Sequence, residues 1–420
     1  MYKVTRLENG LTVASAEMPH MASVSIGIWV GNGGRHEPAP ISGVSHFIEH
    51  LLFKGTKKRS ARDISQAVEG IGGYLNAFTS EEHTCFYAKA RHDHLPELLD
   101  VLADMFLHSA FDPVEMGKER EVIKEELAMY LDEPHQHVQE LLNAAMWPGQ
   151  ALGRSITGTV KTLEAITRDA LVDYQKKNYV ASATVIAAAG QLRHAQLVKA
   201  VRPYARHFLQ GGRPNYVPAT SAQTKPAVCL HTKKTEQTQI ALGVRACSRH
   251  DPRRFALRLL NAVLGENMSS RLFQTVREDH GLAYSIYSAN SFFDDAGDLV
   301  ISAGLDLDNL NKTLRLILRE IRQLTEKTVP AAELRRASDY LAGQLDLSLE
   351  NSENQMMWVG EQWLGYGKII PPAQVKARLS EVTSAEVRAA ARDFLRPDRF
   401  TLALVSPLKS ATGLDKSLAA

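Results

Sequence analysis

Cysteine, net charge and long apolar runs are all scarce in this 420-residue chain. Its cysteines, Cys85, Cys229 and Cys247, are odd in number and far apart, so they form no disulfide framework or zinc-knuckle spacing; this is typical of a reducing compartment. A net charge of +2 favours neither nucleic acid nor an acidic membrane as a partner. There is no apolar run of about 18 residues and no signal or transit pattern at the start, so we expect no membrane span and a cytoplasmic location.

The length of the chain predicts two domains, because 420 residues exceed one ordinary core. Residues 208–226 are rich in proline and glycine without periodicity, which is typical of a linker between residues 1–207 and 227–420. The pattern from Leu163 to a short apolar strand at 183–189 returns near Leu379, an offset of about 216 residues. We therefore predict a duplicated domain.

Apolar periodicity predicts mixed secondary structure in both halves. A hairpin is expected around Asn9-Gly10, a strand over 23–30, and two antiparallel strands over 72–79 and 84–90. Helices are expected between and after these strands, including a single helix over 163–178. The fold class predicted is α+β, with two tandem homologous domains that each pack helices on a largely antiparallel sheet.

One short motif contains candidate ligands for a metal ion. His46 and His50 are four residues apart in a predicted helix, so both imidazoles lie on one face and can bind the same ion. Glu49 lies beside them, and His-x-x-Glu-His is the inverted form of a zinc-protease helix motif. The alternative is that two of the fifteen histidines fell at this spacing by chance.

A second helix supplies candidate carboxylates. Asp112-Pro113 begins it, and its predicted inward stripe contains Glu119 and Glu126 together with Met116, Ile123 and Tyr130. A buried glutamate is unfavourable unless it is paired or binds a metal. Glu126 is therefore the candidate third zinc ligand, and Glu119 is the candidate partner of a liganding imidazole. The alternative is a solvated face that is simply rich in glutamate.

This set of residues predicts a hydrolytic mechanism. One zinc ion per chain, held by His46, His50 and Glu126, would activate a water molecule as the nucleophile. Glu49 would be the general base and would return the proton to the leaving amine. The second half of the chain has no such motif, so it is not expected to bind metal.

Two stretches, residues 45–56 and 119–126, resemble the pitrilysin-type (inverzincin) zinc metallopeptidase family. Within it, the chain is most similar to the β-subunit of the mitochondrial processing peptidase and its bacterial two-domain relatives. The resemblance covers the whole chain, and it places the third ligand on Glu126 and the accessory glutamate on Glu119. It implies a zinc endopeptidase.

The resemblance also implies roles for residues outside the metal motif. Asn76 and Ala77 match the edge strand that pairs with the substrate backbone, and Phe53 matches an aromatic residue of the substrate pocket, although it could equally pack the helix on the core. Arg277 and Tyr284 match a pair that contacts the substrate carbonyl and stabilises the oxyanion. Without the resemblance they would be a surface cation and a core tyrosine.

The implied assembly is two such chains that enclose a chamber for peptides, as a homodimer or as a heterodimer with a related subunit. One departure limits the implied specificity: the stretch 134–140, which should recognise an arginine, contains only Glu140 as an acidic residue. The alternatives are a non-catalytic scaffold of the same fold, which would normally have lost its ligands, and another metal-assisted hydrolysis.

Overall fold

The computed structural model describes residues 2–419, which form two compact units. Unit 1 contains the chain up to Leu127 together with Arg154–Val217 and Leu347–Pro371. Unit 2 contains Ala128–Gly153, Pro218–Asp346 and the chain from Pro372 onward. Each unit is therefore assembled from separate stretches of sequence, and the predicted boundaries at 207 and 227 remain a prediction.

The strands and helices are numbered in chain order. The strands are β1 (Tyr2–Arg6), β2 (Thr12–Glu17), β3 (Ser23–Val30), β4 (Tyr74–Thr79), β5 (Thr84–Arg91), β6 (Thr184–Gly190), β7 (Ala227–Thr232), β8 (Thr238–Ala246), β9 (Ala283–Phe292), β10 (Gly297–Leu305) and β11 (Thr401–Ser406). The helices are α1 (Val44–Leu52), α2 (Ala61–Glu69), α3 (Leu95–His108), α4 (Pro113–Asp132), α5 (Pro134–Met146), α6 (Val160–Ala165), α7 (Arg168–Asn178), α8 (His194–Ala205), α9 (Arg254–Leu264), α10 (Leu310–Glu326), α11 (Ala331–Ser348), α12 (Ser352–Tyr366), α13 (Pro372–Glu381), α14 (Ser384–Phe394) and α15 (Leu414–Ala419). A π-helical turn covers Phe273–Glu278.

The two sheets repeat one topology. Unit 1 has the strand order β1-β2-β6-β3-β5-β4, and unit 2 has β7-β11-β8-β10-β9. All neighbours are antiparallel except β2 with β6 and β7 with β11, which are the equivalent pair in the two sheets. The predicted fold class, two tandem homologous α+β domains, is confirmed.

Each sheet is covered by a helix from the other half of the sequence. In unit 1, α12 packs on β2, β3 and β6, and Met356 and Val359 bury the Trp29 side chain. In unit 2, α5 packs on β7, β8 and β11 through Val138, Leu142 and Met146. On the opposite face of the first sheet, α1 and α3 share the main core of unit 1 with β3 and β5. Because β3 is covered on both faces, its side chains are almost all buried.

Most predicted elements are present, with one correction and three omissions. The hairpin, the strand β3, the pair β4–β5 and the Asp112 cap are confirmed, since Asp112 Oδ1 accepts hydrogen bonds from the Val114 and Glu115 amides. The single helix predicted over 163–178 is wrong. The chain is extended at Ile166, and the Thr167 hydroxyl caps a new helix by accepting from the Ala170 amide. Helices α8, α13 and α15 were not predicted.

Within residues 2–419, none of the helices has the length and apolar character needed to cross a bilayer.

The contact between α12 and the first sheet predicts a sharp difference between two glycines. A Cβ at Gly360 would lie 2.3 Å from the Trp29 ring, so Gly360→Ala should lower the free energy of unfolding by about 1–3 kcal/mol through overpacking. Gly343 in α11 has no atom within 4 Å of its Cβ position, so Gly343→Ala should raise it by about 0.5–1 kcal/mol. Chemical denaturation compares the two; equal effects would contradict this packing.

Candidate metal centre and active site

A buried glutamate fixes the start of helix α1. The Glu37 carboxylate accepts hydrogen bonds from the Gly43 amide at 2.7 Å and the Ser45 amide at 2.8 Å. Burial raises the pKa of Glu37, and these bonds act against that rise. Gly43 has a positive φ of 96°, and a Cβ there would lie 2.7 Å from the Thr157 carbonyl oxygen. The start of α1 is therefore fixed by the positive φ of Gly43 and by the two backbone amides that donate to Glu37.

His46 and His50 lie one turn apart on α1, with their ring centroids separated by 4.6 Å. Glu126 approaches from α4, and its Oε2 atom lies 3.7 Å from His46 Nε2 and 3.6 Å from His50 Nε2. The donor atoms of the three residues all lie within 4.8 Å of one another. Within residues 2–419, they form the single group of three or more His, Cys, Asp or Glu side chains with this geometry.

Glu119 lies one layer behind these donor atoms. Its side chain is buried, with Oε2 at 3.1 Å from His50 Nδ1 and Oε1 at 2.7 Å from Lys54 Nζ. Because Nδ1 of His50 is committed to Glu119, Nε2 is the ring nitrogen that faces Glu126. The carboxylate stripe on α4 therefore has two depths, with Glu119 buried and Glu126 half-buried.

The donor set fits a divalent metal ion. Two imidazole nitrogens and one carboxylate oxygen are the ligands of a catalytic zinc site that keeps further positions open. Burial, followed by the nearby His50, lowers the pKa of His46 to about 4, so its ring is neutral at neutral pH, as a ligand must be. Burial lowers the pKa of His50, but hydrogen bonds with Glu126 and Glu119 outweigh it and raise the pKa overall. A bound metal ion would satisfy Glu126, while Glu119 keeps its contact with His50 Nδ1.

Glu49 is turned toward the edge of the sheet. Its Oε2 atom accepts a hydrogen bond of 2.6 Å from the Thr79 hydroxyl at the end of β4. Burial raises the pKa of Glu49, opposed by the bond from Thr79. A carboxylate with a raised pKa beside a metal centre is suited to accept a proton from water.

Comparisons with known proteins identify the family of this chain. Residues 12–160 match the family described as "Insulinase (Peptidase family M16)", and residues 165–341 match "Peptidase M16 inactive domain". A Bacillus subtilis protein named "Uncharacterized zinc protease" is 38% identical, over 97% of this chain and 98% of the relative. A Mycobacterium leprae protein named in the same words is 37% identical, over 99% and 94%. The chain belongs to peptidase family M16. The predicted resemblance is confirmed.

Two solved structures share the fold of this M16 chain. A protease from Helicobacter pylori has a TM-score of 0.90 at 19% identity, and the match covers 97% of this chain and 99% of that one. A Pseudomonas fluorescens structure titled as a peptidase M16 inactive domain has the same score at 18% identity, with the same coverage. The two-unit architecture is thus that of other M16 proteins.

Two of the three predicted substrate-binding residues of this M16 chain, Asn76 and Ala77, lie on an edge strand. β4 ends the strand order of unit 1 and pairs with β5 alone. Asn76 is exposed and Ala77 is half-buried, and the Asn76 side chain accepts a hydrogen bond from the Ala77 amide. Phe53 follows the last residue of α1 and packs, half-buried, against the main core. A role for Phe53 in substrate binding stays a prediction.

Arg277 and Tyr284 belong to unit 2 and are neighbours there. The Arg277 guanidinium lies 5.5 Å from the centroid of the Tyr284 ring and 4.8 Å from that of Phe273. Tyr284 is 77% exposed, and Arg277 lies in the π-helical turn. An irregular turn of this kind is frequent at functional sites. The structure therefore presents the predicted pair on a surface, as a stacked unit.

The structure brings together His46, His50, Glu126, Glu119 and Glu49, all within unit 1. Sequence reasoning missed Glu37, Lys54 and Thr79. Lys54 lies within the stretch 45–56 and Thr79 at the end of the predicted strand 72–79, but no spacing rule connects either of them to a partner. Their contacts depend on how β4 and α4 approach α1.

The buried cap of α1 gives a stability prediction. Glu37→Ala removes two bonds from backbone amides to a carboxylate, so we expect the free energy of unfolding to fall by about 2–4 kcal/mol. Glu8 is exposed, and Glu8→Ala should leave stability within about 0.5 kcal/mol of the wild type. Denaturant titration of the metal-free proteins measures both, and similar values for the two variants would refute the role of Glu37.

Proposed function

We propose that this M16 chain is a zinc-dependent endopeptidase that hydrolyses peptides or unfolded precursor segments. The observation that carries the proposal is the convergence of the donor atoms of His46, His50 and Glu126 within 4.8 Å, with the half-buried Glu49 next to His50 on the same helix. Family membership and the names of its relatives support a zinc protease in general terms. The match of the second half to an inactive domain agrees with its lack of the metal motif.

Each residue of the centre has a distinct task in this proposal. His46, His50 and Glu126 hold the zinc ion, and Glu119 holds His50 in the tautomer that presents Nε2. When bound, zinc supplies Lewis-acid chemistry toward a peptide carbonyl and toward water. Glu49 accepts the proton of the attacking water and delivers it to the leaving amine. Burial raises the pKa of Glu49, which favours its role as a proton acceptor.

The substrate is a peptide in an extended conformation. β4 is an edge strand in unit 1, and a peptide added to it would form backbone hydrogen bonds that demand little of the substrate sequence. Thr79 at the end of β4 is hydrogen-bonded to Glu49, so a peptide on this edge lies next to the base. Asn76 and Ala77 are the residues that we assign to this strand addition.

The second unit completes the site of a partner chain in our proposal, as a homodimer or as a pair with a related subunit. Arg277 and Tyr284 would contact the substrate carbonyl as charge develops on its oxygen. Cation–π contacts of the guanidinium with the Phe273 and Tyr284 rings hold the cation at the surface. An enclosed chamber would limit the substrates to chains without a stable fold.

Measurements of bound zinc and of peptide hydrolysis should distinguish the zinc ligands from the general base. His46→Ala, His50→Ala and Glu126→Ala should each lose bound zinc, measured by mass spectrometry of the purified protein, together with peptide hydrolysis. Glu49→Gln should keep the single zinc while hydrolysis falls by about 10³-fold or more, because general-base catalysis is removed. A Glu49→Gln chain that cleaves peptides normally would contradict the mechanism, as would ligand variants that retain zinc.

Mixing two inactive variants tests the shared site. If Arg277 serves the partner, random mixing of Glu49→Gln with Arg277→Ala chains should restore about a quarter of the wild-type activity, since half of the dimers carry one complete site. Each variant alone is the control. Mixtures that stay as inactive as their components would show that the site is completed within one chain.

A further inference from the structure

We infer that Thr79 is the positioning residue that holds the Glu49 carboxylate in its proton-accepting orientation. The inference rests on the proposed role of Glu49 as the base. The Thr79 hydroxyl donates to Glu49 Oε2 at 2.6 Å, a short distance typical of a hydroxyl bonded to a carboxylate. Among the residues that the structure describes, Thr79 is the one hydrogen-bond donor to Glu49.

Thr79 is itself held firmly. It forms the last register pair of the β4–β5 ladder with Thr84, whose fully buried hydroxyl lies 3.4 Å from that of Thr79 and 3.0 Å from the Asn32 carbonyl, to which it can donate. Asn32 in turn donates from Nδ2 to the hydroxyl of Ser45 on α1. The donor that orients Glu49 is therefore fixed both to the sheet and to the helix that carries Glu49.

The turn after Thr79 adds a second attachment. The Gly34 amide donates to the Ser80 carbonyl at 3.0 Å, and the Arg35 amide donates to the Glu81 carbonyl at 2.8 Å. Gly33 permits this approach, because a Cβ at that position would lie 2.2 Å from the Ser80 oxygen. The end of β4 is thus held on the loop that leads into α1.

This arrangement connects substrate binding with the base. The strand that carries Asn76 and Ala77 ends at Thr79, so one rigid segment sets the positions of the substrate backbone and of Glu49. A glutamate has three rotatable side-chain bonds, and without a donor its carboxylate samples several rotamers. Loss of the hydroxyl should therefore reduce the rate of the chemical step while leaving substrate binding and zinc in place.

The test compares two substitutions of similar size. Thr79→Val keeps the branched shape but lacks the hydroxyl, and we expect kcat to fall by about 10- to 100-fold with KM changed less than about twofold and the zinc content unchanged. Thr79→Ser keeps the hydroxyl and should recover most of the lost kcat. Thr184→Val is the matched control: it removes the bond from a buried threonine to the Val180 carbonyl in the same sheet and should lower stability without lowering kcat.

A double-mutant cycle tests whether Thr79 affects kcat through Glu49. Glu49→Asp withdraws the carboxylate from Thr79, so adding Thr79→Val to it should cost no further activity if Thr79 acts through Glu49. Additive losses, an unchanged kcat in Thr79→Val, a rise in KM alone, or a serine variant as impaired as the valine variant would each overturn the inference. Full activity in Glu49→Gln would instead overturn the proposed function and, with it, this inference.

Discussion

The burial of Glu119 between His50 and Lys54 is the interaction on which the rest of the centre depends. A carboxylate in this position is stable only because an imidazole and an ammonium group satisfy both of its oxygens. The contact with Glu119 fixes the ring orientation of His50 and holds α4 against α1. About two helical turns further along α4, the same packing brings Glu126 to the Nε2 atoms of His46 and His50. The metal centre is thus the surface end of a polar contact that begins in the core of unit 1.

Duplication of the fold provides two sheets of the same topology with different tasks. The first sheet carries the histidine helix against its core face and an edge strand beside it. In the second sheet the equivalent edge strand is β9, on which the exposed Tyr284 lies close to Arg277. Within the described residues the metal-ligand group occurs in the first unit only. Equivalent edge strands therefore carry Asn76 and Ala77 in the first unit and Tyr284 in the second, all residues to which we assign substrate contacts.

Much of this arrangement could be predicted from the sequence because its signals are local or periodic. Helical spacing placed His46 and His50 on one face, and the apolar stripe of α4 identified Glu119 and Glu126 as inward residues. The break at Ile166 was missed, because apolar periodicity continues across it and only the Thr167 cap shows that a new helix begins. Contacts of Thr79, Lys54 and Glu37 depend on tertiary approach between distant segments, which no pattern in a single sequence encodes.

Helices α5 and α12, which each cover the sheet of the other half of the sequence, affect how the chain folds. Residues of α1 and α4 are synthesised early, yet the face of the first sheet that carries Trp29 has no cover until α12, which begins at Ser352, leaves the ribosome. Contacts of such long sequence separation slow folding and leave apolar surface exposed meanwhile. An amino-terminal fragment that ends before α12 would contain every residue of the metal group and still lack a closed core. The first sheet is therefore covered on both faces only when nearly the whole polypeptide has been made.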